Sequence, residues 1–141
     1  MIKKITIFSF LLAVLGLFFS ACSDGEAEKS QSINNGLNLF VTNCSACHQK
    51  DGAGLATLYP PLKNSSYFKA NFAKLPCIIH NGLKGSVSVN GSTYDSYMPG
   101  IPSLSAAEIA DISNYLMNNF NQMNKYTTAD EVTKTLASCP Q

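Results

Sequence analysis

The sequence predicts a mainly helical fold, and three observations support this prediction. Apolar residues recur at helical spacing before the first pair of cysteines and again in the C-terminal third of the chain. Two capping boxes, Ser105 with Glu108 and Thr128 with Glu131, mark the starts of two helices near the C-terminus. Strand-like alternation is confined to a few residues, so we expect no extended sheet.

The first predicted helix leads into a group of two cysteines and a histidine. Its apolar stripe consists of Ile33, Leu37, Phe40, Val41 and Cys44. Gly36 lies one turn before Phe40 on the same face, where a glycine costs up to about 1 kcal/mol of helix stability. Its presence suggests that another helix approaches closely at this point.

Cys44-Ser45-Ala46-Cys47-His48 is the pattern of a c-type haem attachment site. If the segment is helical, spacings of three and four residues bring Cys44, Cys47 and His48 to one face. The two thiols can then bond to the vinyl groups of one porphyrin, and the imidazole can bind its iron. Half of a zinc site and a redox dithiol are the alternatives. A dithiol oxidoreductase would be expected in a βαβ setting, whereas this sequence predicts helices.

A polar loop with Gly52 and Gly54 follows the motif, and then comes Tyr59-Pro60-Pro61. Two successive prolines give an extended backbone that lacks N–H donors and offers its carbonyl groups. Such a segment can accept a hydrogen bond from Nδ1 of His48. That bond would set the orientation and the tautomer of the ring.

Two short helices and a hairpin are predicted in the middle of the chain. Ser65 or Ser66 can cap the first helix, and Pro76 can open the second, which ends at Asn81-Gly82. Residues 86–89 alternate like a strand, and Asn90-Gly91 is a strong signal for a hairpin turn.

The sequence offers four candidates for a sixth iron ligand: Met98, Met117, Met123 and His80. Met98 is favoured because it lies in an irregular loop before Pro99, where a thioether can point at the iron without interrupting a helix. Met117 and Met123 belong to the last long helix and its end, and His80 lies at a helix end where carbonyls can bind it. Methionine opposite histidine raises the reduction potential and fills both axial positions, which suits electron transfer.

The N-terminus predicts export. Lys3 and Lys4 precede an apolar run, residues 5–19, that is short for a membrane span. This pattern indicates a secretory signal peptide over residues 1–21. The sequence before Cys22 resembles a bacterial lipoprotein cleavage site, after which Cys22 carries the lipid. A plain signal peptide with a spare cysteine and an uncleaved anchor are the alternatives. We therefore expect a protein that is anchored by lipid on the periplasmic side of a bacterial membrane.

The acidic and polar residues 22–32 show no apolar periodicity and predict a flexible tether to a domain over residues 33–141. Without the two lysines of the signal, the chain carries eight basic residues, all lysine, against nine acidic ones. A chain so close to neutral is not expected to bind nucleic acid. Charge is also expected to contribute little to steering its association with partners.

Two of the five cysteines, Cys77 and Cys139, remain once lipid and haem are assigned. In an oxidising compartment such a pair most simply forms a disulfide. The bond would close a loop of about 60 residues and contribute about 3–4 kcal/mol in the chain-entropy model. Two buried free thiols, or an exposed Cys139 in a loose tail, are the alternatives.

The order of these features resembles that of a class I (monohaem) cytochrome c domain, in particular a bacterial subgroup. The matching features are Phe40, the Cys44–His48 motif, Gly52, Gly54, Pro60, Leu62, the Asn90-Gly91-Ser92-Thr93-Tyr94 approach to Met98-Pro99, and the helix from Leu104 to Phe120. The resemblance covers residues 33–120 and implies an all-α fold. In that fold four to five helices surround one covalent haem c, and a short β-hairpin lies near residues 86–94.

The resemblance also implies roles for individual residues. Cys44 and Cys47 would be the thioether anchors, and His48 would be the proximal ligand. Pro60 would accept the hydrogen bond of His48, Met98 would be the distal ligand and Tyr94 would lie among the cofactor-binding residues. Gly36 and Phe40 would meet Tyr115 and Leu116 where the first and last helices cross.

The function implied is that of a one-electron carrier and not of an enzyme. Its partners would be a quinol-oxidising complex and a terminal oxidase or reductase in a respiratory chain. Two alternatives remain open at this point. One is a haem-based sensor or a peroxidase-like enzyme, and the other is the cytochrome c subunit of a larger oxidoreductase complex.

Overall fold

The computed structural model describes residues 24–140, in which helices predominate. In chain order the helices are α1 (Asp24–Asn43), α2 (Ser45–His48), α3 (Ser66–Asn71), α4 (Leu75–Asn81), α5 (Ala106–Tyr115) and α6 (Ala129–Leu136). A 3-10 turn at Phe72–Lys74 joins α3 to α4, and a π-helical turn at Leu116–Phe120 continues α5. The predicted helical fold is confirmed, although the end of the long C-terminal helix is wound more widely than an α-helix.

Within residues 24–140, four short strands form two antiparallel pairs. Strands β2 (Val87–Val89) and β3 (Ser92–Tyr94) form the predicted hairpin, in which Val87 pairs with Tyr94. Its turn residues Asn90 and Gly91 have φ of 52° and 84°, as a type I′ turn requires. Strands β1 (Gly82–Leu83) and β4 (Met98–Pro99) form the second pair. Met98 was expected in an irregular loop, and the structure instead places it in a short strand.

Among the described residues α1 covers Asp24–Asn43, so residues 24–32 are helical where the sequence predicts a flexible tether. The physical reason is that Glu26, Ala27, Glu28 and Lys29 are strong helix formers even without an apolar stripe. The predicted signal peptide, residues 1–21, and the predicted lipid site, Cys22, lie outside the described residues. Within residues 24–140, no helix is both long and apolar enough to cross a membrane.

The core of residues 31–140 is centred on the crossing of α1 and α5. The rings of Phe40, Tyr115 and Phe120 pack within 5.1–5.5 Å of one another, centre to centre. A Cβ atom at Gly36 would collide with the backbone of Asp111 and would lie 2.8 Å from Cβ of Tyr115. The close approach that the sequence predicts at Gly36 is therefore present, and it is made by α5.

Two members of the predicted apolar stripe of α1 are not in the core. Leu37 is 41% exposed and Val41 is 38% exposed, whereas Phe40 is fully buried. These two residues therefore lie on an exposed flank of the helix, beside the face that Gly36 and Phe40 share.

A buried polar network joins α1, α5 and the segment before α6. Ser32 Oγ donates to Asp111 Oδ1 at 2.6 Å and accepts from Asn114 Nδ2 at 2.8 Å. Asn114 also exchanges two hydrogen bonds with the backbone of Thr127, at 2.8 and 2.9 Å. Both N–H groups of its side-chain amide and its Oδ1 atom are thus hydrogen-bonded, as is usual for a buried polar group.

The C-terminal tail packs against α4 and α5 through α6. Both predicted capping boxes are present, at Ser105 with Glu108 and at Thr128 with Glu131. Val132 of α6 is 1% exposed. Beyond α6 the structure has a disulfide between Cys77 and Cys139, which lie 62 residues apart in the sequence.

We expect Gly36→Ala to lower the free energy of unfolding by about 2–3 kcal/mol, because α1 and α5 must move apart to admit the new methyl group. The matched control is Gly25→Ala in the same helix, where a Cβ atom would meet nothing within 4 Å. That control should be neutral or stabilise by up to about 1 kcal/mol through helix propensity. Denaturant titration of the haem-loaded protein, followed by circular dichroism, measures both. Equal stabilities of the two variants would contradict the close crossing.

Candidate haem-binding site

The Cys44–His48 motif continues the helical path of α1 after a short break. The N–H of Cys44 donates to the carbonyl of Phe40 at 2.9 Å, and the N–H of His48 donates to the carbonyl of Cys44 at 3.0 Å. Cys44 and His48 are therefore one turn apart, which places their side chains on one face. Cys44 also packs against the hydrophobic core, which is centred on the crossing of α1 and α5.

His48 is buried, and its ring is oriented by a proline carbonyl. Nδ1 of His48 lies 3.0 Å from the carbonyl oxygen of Pro60, the residue for which this role is predicted. A carbonyl oxygen can only accept, so Nδ1 carries the proton of this bond. Burial lowers the pKa of His48, and the bond to Pro60 opposes this more weakly. The ring is therefore neutral near pH 7, and Nε2 has a free lone pair for a metal.

The proline segment is itself held by backbone hydrogen bonds and by Asn121. The N–H of Gly54 donates to the carbonyl of His48 at 3.0 Å, and the N–H of Leu62 donates to the carbonyl of Gly52 at 2.9 Å. Asn121 Nδ2 donates to the carbonyl of Leu62 at 3.0 Å. Sequence reasoning missed Asn121. Its only sequence signal was a polar residue directly after an apolar helix face.

Asn121 also makes hydrogen bonds to the residue before α3 and to the π-helical turn. Its Oδ1 accepts from the N–H of Ser65 at 3.1 Å, and its Nδ2 also donates to the carbonyl of Leu116 at 3.1 Å. Leu116 begins the π-helical turn, and Asn121 directly follows it. The wider turn thus aims one amide at both the proline segment and the start of α3.

Met98 is held by the pairing of β4 with β1. In this pair Met98 lies opposite Leu83, and Pro99 lies opposite Gly82. Strand pairing fixes the backbone of Met98 more firmly than an irregular loop would, and its side chain is half-buried.

The three other candidates for the sixth ligand lie elsewhere. Met117 is buried in the helical core, and Met123 packs against that core. His80 is not among the residues that line the cavity described below, and its Nδ1 lies 2.7 Å from Oδ1 of Asn81.

His48 and Met98 border the same cavity, which contains about 720 Å³ of space including its open mouth. Cys44 also borders it. The apolar part of its wall consists of Pro60, Pro61, Leu62, Phe68, Phe72, Leu75, Ile78, Ile79, Leu83, Val87, Val89, Ile112 and Leu116. Its remaining polar side chains are Ser65, Tyr67 and Asn71, none of which was predicted as part of the site.

A second cavity of about 490 Å³ borders His48 and Met98 as well. Cys47 and Tyr94 line this cavity, together with Tyr59 and Tyr97. Tyr97 is 55% exposed, so this side opens towards solvent. The two cavities together bring all six predicted cofactor-binding residues to one region of the domain.

Cys44 and Cys47 are free thiols in the structure. Burial, and secondarily the neighbouring Cys47, raise the pKa of the Cys44 thiol to about 11. Redox-active dithiols instead rely on a lowered thiol pKa. The raised pKa of Cys44, and the lack of a βαβ unit within residues 24–140, both disfavour the alternative of a dithiol oxidoreductase.

These residues fit a covalently attached haem. Two thiols and a neutral imidazole lie in one short motif beside the cavity, and a thioether borders the same space. The apolar walls suit a porphyrin, and the hydrogen bond to Pro60 leaves Nε2 of His48 free for iron. The helical fold and this site together define a haem-binding domain of the c type.

Comparison with known proteins agrees with this description. Residues 33–120 match the family described as Cytochrome c, and this stretch exceeds half of the 141-residue chain. The chain therefore belongs to the cytochrome c family. Membership implies a covalently bound haem c and a role in electron transfer.

Two kinds of relative illustrate the range of this family. The chain is 35% identical over 102 residues to the cytochrome c subunit of alcohol dehydrogenase (quinone) from Gluconacetobacter polyoxogenes, which covers 70% of this chain and 22% of the subunit. It is 30% identical over 111 residues to cytochrome c-552 of Thermus thermophilus, which covers 71% of this chain and 82% of that protein. The chain thus spans about a fifth of the dehydrogenase subunit and most of cytochrome c-552.

Proposed function

We propose that this protein is a one-electron carrier with a single haem c, ligated by His48 and Met98. The observation that supports this most directly is the cavity that both residues border. The haem, when bound, supplies the iron centre that takes up and releases the electron. The protein's own residues provide the ligands and the surroundings of that centre.

Each of these residues has a separate task in the proposal. His48 offers Nε2 while Pro60 holds its ring, and Met98 offers its thioether from a paired strand. With His48 and Met98 both holding the metal, it would offer small molecules no open site. The apolar wall would exclude water and lower the local dielectric, so electron transfer would need little rearrangement.

The same proposal includes the location of the protein and its partners. A signal peptide over residues 1–21 and a lipid on Cys22 would hold the protein on the periplasmic side of a bacterial membrane. Its partners there would be a quinol-oxidising complex and a terminal oxidase or reductase. The near-neutral charge suggests that contact with them depends more on apolar surface than on charge.

We expect the purified protein to titrate as a one-electron couple and its reduced form to bind no carbon monoxide without prior treatment. Spectroelectrochemical titration measures the first property, and an optical spectrum under carbon monoxide measures the second. Rapid binding of carbon monoxide by the intact reduced protein would instead favour the alternative of a sensor or a peroxidase-like enzyme.

A second candidate is a subunit of a larger oxidoreductase complex, which is supported by the similarity to the cytochrome c subunit of alcohol dehydrogenase (quinone). Native electrophoresis of membranes solubilised in mild detergent separates the two candidates. A diffusing carrier should migrate as a small species that carries the haem stain. Co-migration of all haem stain with a much larger enzyme would favour the subunit.

A further inference from the structure

We propose that the Cys77–Cys139 disulfide positions the distal ligand Met98, and that reduction of this disulfide weakens the hold of the protein on the methionine sulfur. The proposal rests on the function proposed above, in which Met98 completes the haem site. The disulfide belongs to a tail that lies beyond the part matched to the cytochrome c family, residues 33–120.

The segment that carries Met98 takes its position from the end of α4. Met98 pairs with Leu83, directly after that helix, and the N–H of Ile101 donates to the carbonyl of Ile79 at 2.9 Å. Gly100 packs so closely against the carbonyl of His80 that a Cβ atom would collide with it. Residues 98–101 are thus in register with residues 79–83, and a shift of α4 would move Met98.

Helix α4 is in turn attached to the C-terminal tail. Cys77 in this helix is bonded to Cys139, and Asn81 Nδ2 at its end donates to the carbonyl of Pro140 at 3.3 Å. The tail follows α6, whose Val132 is buried. Because α4 has only seven residues, it cannot be stable alone, and its position depends on such attachments.

The attachment point lies beside the haem cavity. A surface groove of about 1150 Å³ runs past Cys77, Asn81 and Pro140, and it shares Ile78 and Leu83 with the cavity wall. Movement of the tail would therefore change the wall that lies between the groove and the cavity.

Reduction breaks the S–S bond with two electrons and two protons and leaves two thiols. A dithiol reductant such as dithiothreitol supplies both electrons and both protons and is itself oxidised to a disulfide. Afterwards the covalent link between α4 and the tail is gone, and contacts such as the Asn81–Pro140 hydrogen bond must hold the two together. Local opening around Met98 then becomes easier, and the iron more often lacks its sulfur ligand.

The test compares Cys77→Ser/Cys139→Ser with Val132→Ala, both in the full haem-loaded protein. The first pair of changes removes the covalent attachment, and the second loosens the packing of α6 while the disulfide remains. The haem is reduced with ascorbate, which leaves the disulfide intact, and the rate of carbon monoxide binding is measured. The weak near-infrared band of the oxidised protein, which reports sulfur bound to iron, is recorded over a range of temperatures.

We expect the double variant to bind carbon monoxide roughly tenfold faster than wild type or more, because binding requires local opening at Met98. Its near-infrared band should also disappear at a lower temperature. Val132→Ala should unfold more easily and yet keep the carbon monoxide rate of wild type. If the double variant does not fold, wild-type protein reduced by dithiothreitol, with two new thiols verified by titration, gives the same comparison.

Equal rates in all three proteins would overturn the proposal, as would an equal rise in Val132→Ala, because the disulfide would then only stabilise the fold. A different failure is also recognisable. If wild type with its disulfide intact shows no near-infrared band, Met98 is not the ligand, and both the proposed ligation and this inference are overturned.

Discussion

Met98→Ala is expected to lower the reduction potential by on the order of 0.2 V, within the span of about 0.8 V over which axial ligands tune haem. A thioether opposite an imidazole favours the reduced iron, and alanine leaves that position to water or to nothing. The variant should also bind carbon monoxide when reduced and lose the near-infrared band when oxidised. Spectroelectrochemistry and optical spectra measure these changes.

The matched control is His80→Ala. His80 was the strongest rival ligand, but it is absent from the cavity wall, and its ring is directed at Asn81. This variant should keep the potential and the spectra of wild type. The reverse outcome, with Met98→Ala unchanged and His80→Ala altered, would show that the site is ligated by two imidazoles.

Cys44→Ser/Cys47→Ser should lose covalently bound haem entirely, because no thiol remains to form a thioether. Each single variant should retain the haem through one bond. Haem staining after denaturing electrophoresis distinguishes the three cases. Without haem the cavity of about 720 Å³ has no filling, so the double variant should also be less helical and less stable.

Ser45→Ala is the control within the same motif. Its side chain is half-buried, and its Oγ donates to the carbonyl of Val41 at 2.7 Å. Alanine removes this local bond and leaves both thiols and His48 in place, so haem attachment should be normal. Covalent haem in the double variant would contradict the assignment of the two anchors.

Features encoded by neighbouring residues could be predicted from the sequence. The capping box of Ser105 with Glu108 and the turn at Asn90-Gly91 depend on residues within one turn of each other, and both are present as expected. The haem motif is similarly local, because a pentapeptide contains all three groups. In these cases short-range chemistry leaves few alternatives.

Features that depend on distant pairing could not be predicted. The strand at Met98 exists because Leu83, fifteen residues earlier, lies opposite it, and neither residue has a strand pattern of its own. Leu37 belongs to the apolar stripe and is nevertheless exposed, because periodicity does not encode how much of a helix face another element covers. Asn121 acquires its role only because the π-helical turn directs its amide towards Leu62 and Ser65.

The most direct test of the central claim is a pyridine haemochrome spectrum of the purified wild-type protein after extraction of non-covalent haem. Family membership implies covalent haem c, and the proposed function predicts one such haem per chain, retained through both thioether bonds. A spectrum without haem c after expression in a host that attaches such haem would contradict the account. In that case the cavity that His48 and Met98 border would not be a site for haem c.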